Sequence, residues 1–144
     1  HVVGMFAPSF FTGSLIKRFG PVKIIITGIL LNFLCILTNF AGNNVFNFWW
    51  ALILLGVGWN FMFVSGTSMV TDTYSPSEKA IVQGVNDFLV FGSAAFTSLI
   101  AGVIQTSIGW EAINYSAIFF LFILILVLIW YYFTISNSKK VLVT

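Results

Sequence analysis

An all-α membrane protein with five transmembrane helices is the fold class this sequence predicts, on three observations. Of its 144 residues 59% are hydrophobic, 18% aromatic and only 7% charged, whereas soluble domains carry about 25% charged residues. Apolar runs approaching or exceeding the ~20 residues needed to cross the hydrocarbon core as a helix recur along the chain, divided by short polar turns. The third observation is where the basic residues fall. Three of the six, Lys17, Arg18 and Lys23, crowd into the eleven positions from Gly13 to Lys23, between two apolar runs. Lys and Arg collect in cytoplasmic loops because short basic segments resist translocation.

The first span covers about residues 1–18. Pro8 inside it removes a backbone donor, which kinks the helix and frees a carbonyl near Gly4. Ser9 and Thr12 lie close enough to re-satisfy backbone groups, as polar side chains do in broken membrane helices. The chain opens with His1 rather than Met, already within an apolar run and without the charged start of a signal peptide. It therefore reads as a fragment whose amino-terminal part is missing. Gly20-Pro21 stops one helix and starts the next, since Gly tolerates left-handed backbone and Pro suits a first helical turn.

The second span covers residues 21–41, apolar except for Thr27, Asn32, Thr38 and Asn39, and a Gly42-Asn43-Asn44 turn follows. The third, residues 46–72, opens on Phe48-Trp49-Trp50, an interfacial aromatic anchor. Gly56, Gly58, Trp59 and Asn60 fall near its middle, with a small polar run Ser65-Gly66-Thr67-Ser68 beyond. Ser75-Pro76-Ser77-Glu78 predicts a capping box with Pro at the first helical position, so the fourth helix covers residues 76–107, with Gly109 as its stop. The fifth covers residues 111–135, apolar all round from Ala117 to Phe133, and a polar tail, 136–144, carries Lys139 and Lys140.

Placing the first basic loop inside fixes every later loop by counting crossings. Gly42–Asn47 and Ser107–Glu111 then lie outside, while Tyr74–Lys79 and the carboxyl terminus lie in the cytoplasm. All six basic residues fall on one side, the distribution expected of a multi-pass protein of the cell (inner) membrane. The fifth helix reads as lipid-facing. The third and fourth, with their glycines and amides, read as packed interior or cavity wall, and Ala94, Ser98 and Gly102 form a small-residue packing stripe.

No soluble-enzyme motif is present: no Walker loop, no Gly-x-Ser-x-Gly and no Ser/His/Asp set. The single His1 and single Cys35 leave no metal spacing and no disulfide framework, and no cofactor is implied. A net charge of +2, localised as it is, does not suggest nucleic acid. What remains are polar groups at membrane depth. Gln83 and Asp87 share one face of the fourth helix at (i, i+4), with Asn86 beside them. Asp87 lies roughly 16 Å past Pro76 at 1.5 Å per residue, where a carboxylate marks a functional site by default. It reads equally as a hydrogen-bonded lock between helices. Asn60 beside Trp59 pairs an amide with an indole, a combination suited to binding a solute by hydrogen bonding and stacking. An interhelical hydrogen bond is its plainer role.

The residues Gly13-Ser-Leu-Ile-Lys17-Arg18-Phe19-Gly20-Pro-Val-Lys23 resemble the loop motif Gly-x-x-x-Asp-Arg-x-Gly-Arg/Lys of the major facilitator superfamily. Tyr74-Ser-Pro76-Ser-Glu78-Lys79-Ala80-x-x-x-Gly84 is similar to the cytoplasmic loop before that family's eleventh helix. The resemblance covers essentially the whole chain and implies helices eight to twelve of a twelve-helix transporter bundle. It implies gating and turn roles for Gly13, Arg18 and Gly20, while Lys17 stands where the motif has Asp and removes its acidic group. It also implies that the eighth, tenth and eleventh helices line a cavity while the ninth and twelfth are peripheral. Secondary active transport of a small solute, linked to protons, is the function this implies. The missing amino-terminal half, the solute, protons and the lipid bilayer are the implied partners. A small membrane assembly subunit without transport is the competing class, and a membrane-embedded enzyme comes third.

Overall fold

The fold is helical throughout the described residues, with six helices in chain order: α1 Val2–Phe6, α2 Ser9–Phe19, α3 Pro21–Phe40, α4 Val45–Thr71, α5 Lys79–Ser107 and α6 Trp110–Val141. The computed structural model describes residues 1–42 and 44–141, with side chains as far as residue 134. The side chains of Lys139 and Lys140 in the predicted tail, residues 142–144 and the central Asn43 of the first turn lie outside what is described. Four helices are long and apolar enough to cross a membrane: α3, α4, α5 and the Trp110–Thr134 part of α6. The first predicted span is not one helix but two, α1 and α2, divided at Ala7-Pro8 where proline interrupts the backbone ladder.

Neighbouring helices alternate in direction, as their side-chain pairs show. His1 lies against the Leu52 carbonyl and Thr12 meets Asn60, so α1 and α2 run parallel to α4. Asn39 bonds Asn114 while Ile29 and Ile125 line one groove, so α3 and α6 are antiparallel. Phe63 faces Phe91, ring centroids 6.0 Å apart, and Thr71 faces Gln83, so α4 and α5 are antiparallel too. Consequently Lys17, Arg18, Lys23 and Lys79 occupy one end of the bundle, and the turns after α3 and α5 occupy the other.

The best-packed region lies where α4 crosses α1 and α3, and glycine makes both crossings possible. A Cβ on Gly58 would meet the Gly28 carbonyl oxygen at 2.9 Å, and one on Gly28 would meet the Gly58 carbonyl oxygen at 2.8 Å. A Cβ on Gly56 would come within 3.0 Å of the Gly4 carbonyl carbon. Backbones this close gain dispersion contacts, the main adhesive between helices where lipid is as apolar as the side chains. Ile25, Ile29, Cys35 and Phe61 fill the surrounding core. Hydroxyls along the helices are mostly satisfied locally: Thr27, Thr38 and Thr71 each donate to the carbonyl four residues back.

Two boundaries and one junction conformation differ from the sequence-based expectation. Helix α5 begins at Lys79 rather than near residue 76, because Pro76 to Glu78 form a turn in which the Glu78 N–H bonds the Ser75 carbonyl at 3.0 Å. Half of the predicted capping box survives: the Ser75 N–H donates to the Glu78 carboxylate at 3.1 Å. The Ser75 hydroxyl donates to that same carboxylate at 2.7 Å instead of accepting a backbone N–H. These two bonds hold the Glu78 carboxyl below its ordinary pKa. Helix α6 runs on to Val141 instead of ending near residue 135. Gly20, at the α2–α3 junction, has φ +87° and ψ 152°, the mirror-extended region open to glycine rather than the left-handed helical one.

The predicted packing stripe on α5 is not buried. Ala94, Ser98 and Gly102 are exposed, and nothing among the described residues lies within 4 Å of a Cβ on Gly102. Indeed α5 has no buried residue at all. It meets α4 through long aromatic side chains, and a cavity of about 400 Å³ lined by Phe96, Ile100 and Phe120 separates it from α6. Of the two readings offered for these helices, packed interior describes α4, whereas α5, with no buried residue, does not have a packed interior here and keeps only the reading of a cavity wall.

Candidate functional site

Among the candidate residues, Asn60 is the most completely engaged. Its side chain is 1% exposed and faces the break between α1 and α2. The amide nitrogen donates to the Met5 carbonyl and to the Ser9 hydroxyl, each at 2.6 Å, and the amide oxygen accepts from the Thr12 hydroxyl at 2.7 Å. Thr12 lies equally close to the Pro8 carbonyl, at 2.8 Å. The carbonyl stranded at the proline break is thus capped by an amide from another helix, with Ser9 and Thr12 bridging rather than acting alone. Both N–H groups of Asn60 are committed, so the side chain is a fastening between helices.

Trp59 turns away from that network. Its ring stacks on Phe63 at 4.7 Å with 12° between planes, and Phe63 in turn meets Phe91 of α5. An aromatic wall therefore runs from α4 to α5, and Trp59 and Asn60 serve different faces of α4. Gln83, Asp87 and Phe91 follow at intervals of four along α5, one stripe of one helix. Gln83 donates to the Tyr74 hydroxyl at 2.6 Å. That bond, with a smaller contribution from Thr71, lowers the Tyr74 phenol below its ordinary pKa. Asp87 is exposed and accepts a 3.4 Å hydrogen bond from Asn86. It stands about 12 Å from the start of α5, counted from Lys79 at 1.5 Å per residue. The structure thus brings Trp59, Gln83, Asn86 and Asp87 to the α4–α5 side of the bundle and sets Asn60 on another face of α4, toward α1 and α2.

At the basic end, Arg18 lies over the Phe19 ring, 5.3 Å from its centroid. Gly20 ends α2 with its N–H on the Ile16 carbonyl at 2.8 Å, while Gly13 is exposed with no neighbour within 4 Å of its Cβ position. Ser65 and Thr67 on α4 have buried hydroxyls with no hydrogen-bond partner among the described residues, and such groups are rare enough to mark a special environment. Among the described residues no group of three or more His, Cys, Asp or Glu could hold a metal ion.

Sequence reasoning missed one polar pair. Asn39 donates to Asn114 at 3.0 Å across α3 and α6, and Asn114 is 5% exposed. The partners are 75 positions apart, so no local spacing could have joined them.

The family model described as Major Facilitator Superfamily matches residues 1–143. The chain is 50% identical over 115 residues to the riboflavin transporter RfnT of Brucella anthropi, covering 80% of this chain and 29% of that protein. It is 32% identical over 140 residues to the MFS-type transporter YddS of Bacillus subtilis, covering 96% of this chain and 32% of the relative. A second MFS-type transporter of that organism, YdeG, is 32% identical over 132 residues, 90% of this chain and 31% of its own length. The chain thus spans about a third of the length of the curated relatives it matches. No solved structure matches it.

Proposed function

Because the chain belongs to the major facilitator superfamily, we propose that its helices form part of a secondary transporter moving a small solute by alternating access, linked to protons. The membership and the long apolar helices make it an integral, multi-pass membrane protein. We place it in the cell (inner) membrane with the end holding Lys17, Arg18, Lys23 and Lys79 in the cytoplasm, as the basic-residue rule requires. The carboxyl terminus, an odd number of crossings from the outer turn after α5, would share that side. An amino-terminal half of the same polypeptide would complete the site.

One observation carries the reading: a carboxylate, Asp87, stands exposed within a membrane-length helix that has no buried residue, beside Asn86 and in line with Gln83. Charged groups in spans face a bundle interior or a water-filled cavity and mark ion or substrate paths. A carboxyl that is neutral when it faces one side and ionised when it faces the other is what proton coupling requires. The aromatic wall of Trp59, Phe63 and Phe91 supplies flat surfaces for a planar solute. Together with the 50% identity to a riboflavin transporter, it makes a flavin-like aromatic heterocycle the solute class we infer.

The full-length polypeptide in liposomes tests both parts. Radiolabelled riboflavin uptake driven by an imposed pH gradient is measured beside riboflavin counterflow exchange. Asp87→Asn, which keeps size but cannot titrate, is expected to lose gradient-driven accumulation while retaining exchange. Accumulation unchanged in Asp87→Asn would remove the coupling role, and absence of exchange in the native protein would remove the flavin assignment.

A further inference from the structure

The Asn39–Asn114 pair sits where two cavities meet, one lined partly by polar groups and one mostly apolar. The outer one, about 470 Å³, lies at the end of the bundle opposite the basic residues and is lined by Gly42, Gly109 and Glu111. The inner one, about 410 Å³, lies between α3, α4 and α6 and is lined by apolar side chains such as Ile36, Leu55, Leu121 and Leu124. Asn39, Trp110 and Asn114 line both, so a polar chamber adjoins an apolar one. Each has the size of a small-molecule site.

The depth is set by aromatic residues. Trp110 packs against Phe48 at 5.7 Å and Phe40 against Tyr115 at 5.7 Å; Trp49 and Trp50 lie on the same end of α4. Trp and Tyr gather where acyl chains give way to headgroups. The polar chamber is thereby at headgroup level and the apolar one at acyl level.

The chemistry of the polar chamber selects the headgroup. Asn39 has both amide N–H groups engaged, one on Asn114 at 3.0 Å and one on the Cys35 sulfur at 4.0 Å. Asn114 gives its own N–H to the Trp110 carbonyl at 3.1 Å. The groups left over are acceptors: the Asn39 amide oxygen and the exposed carboxylate of Glu111. No Lys or Arg lies between residues 24 and 78 or between 80 and 138, so nothing basic on these turns offsets that carboxylate. Gly109 and Trp110 bring in the start of α6, where unpaired backbone N–H groups favour an anion. An ammonium and a phosphate, side by side above an apolar tail, answer both demands.

We propose that this composite groove binds a zwitterionic phospholipid with a primary ammonium headgroup, of the phosphatidylethanolamine kind. Its ammonium meets Glu111 and Asn39, and one acyl chain enters the cavity between α3, α4 and α6. The lipid would fasten α6 to α3 at the end of the bundle farthest from the basic loops.

The test uses the full-length protein in lipid nanodiscs with phospholipids brominated on their acyl chains, which quench nearby tryptophan. The Trp110 signal is the difference between the native protein and Trp110→Phe. Brominated phosphatidylethanolamine is expected to quench that signal at about two- to fivefold lower mole fraction than brominated phosphatidylglycerol, the preference an exposed ion pair of up to about 1 kcal/mol supplies. Glu111→Gln, an exposed and conservative change, is expected to remove the preference. Filling the apolar chamber with Ala117→Phe is expected to weaken quenching by either lipid. Equal or stronger quenching by phosphatidylglycerol in the native protein, or a preference unchanged in Glu111→Gln, would overturn the proposal. Equal quenching by phosphatidylcholine would overturn the primary-amine assignment.

Discussion

Asn60 joins three segments with one side chain, and its replacement should be felt accordingly. Asn60→Ala strands the Met5 carbonyl and the Ser9 hydroxyl and leaves Thr12 only its local bond. A buried unsatisfied group costs about 1–3 kcal/mol, although single interhelical bonds in membranes average about 0.6 kcal/mol because the unfolded state also finds partners. A loss of about 2–3 kcal/mol is expected, read from reversible unfolding of the full-length protein in mixed micelles. A change below about 0.5 kcal/mol would mean the break at Pro8 is held by α1 and α2 themselves. Half of this arrangement was legible in the sequence. Pro8 announces a kink and a free carbonyl, and Ser9 and Thr12 are the nearby hydroxyls. That the capping group is Asn60 was not, because Asn60 lies 55 positions from Met5, and a single sequence shows no such pairing. Asp87 is the opposite case: its place in a span was plain, while its surroundings depend on whatever covers α5.

At the scale of whole elements, the crossing of α3 and α4 is set by Gly28 and Gly58. Gly28→Ala would push a methyl against the Gly58 carbonyl oxygen and the Met62 side chain, both at 2.8 Å. Gly58→Ala would push one against the Gly28 carbonyl oxygen at 2.9 Å and against Asn32. Overpacking of this kind costs about 1–3 kcal/mol. Both methyls are relieved by the same separation of the helices, so the double variant should lose clearly less than the sum of the singles. The same unfolding measurement checks this, and strict additivity would show that the two glycines act in separate contacts. The helices themselves were readable from apolar length and turn residues. Their ends were less so: Ser75-Pro76-Ser77-Glu78 has the composition of a helix start, yet the Glu78 carboxylate takes both the hydroxyl and the N–H of Ser75, and the helix waits until Lys79.

For the molecule as a whole, the alternation of helix directions collects Lys17, Arg18, Lys23 and Lys79 at one end. Single cysteines at Asn44 and at Lys79, each in a Cys35→Ala background, report the orientation through an impermeant thiol reagent applied to intact cells. Labelling at 44 and protection at 79 is the expected outcome, and the reverse pattern would invert the assignment of sides. This global feature was the most legible of all, because it depends on counting charges along the chain rather than on any contact. The exposure of α5 was not legible. Its glycines and amides read as packed interior or cavity wall, and choosing between the two needs the opposing surface, which lies outside the described residues.

The proline break has a consequence for how the chain is built. A segment leaving the ribosome at about 5–20 residues per second reaches Asn60 about 3–11 seconds after Met5, the interval for the 55 positions between them. Throughout that time the helices on either side of Pro8 carry a carbonyl that hydrocarbon cannot solvate. The first segment should therefore linger at the water-rich edge of the insertion machinery until α4 emerges. The two would then enter the bilayer together, as a unit that neither could form alone.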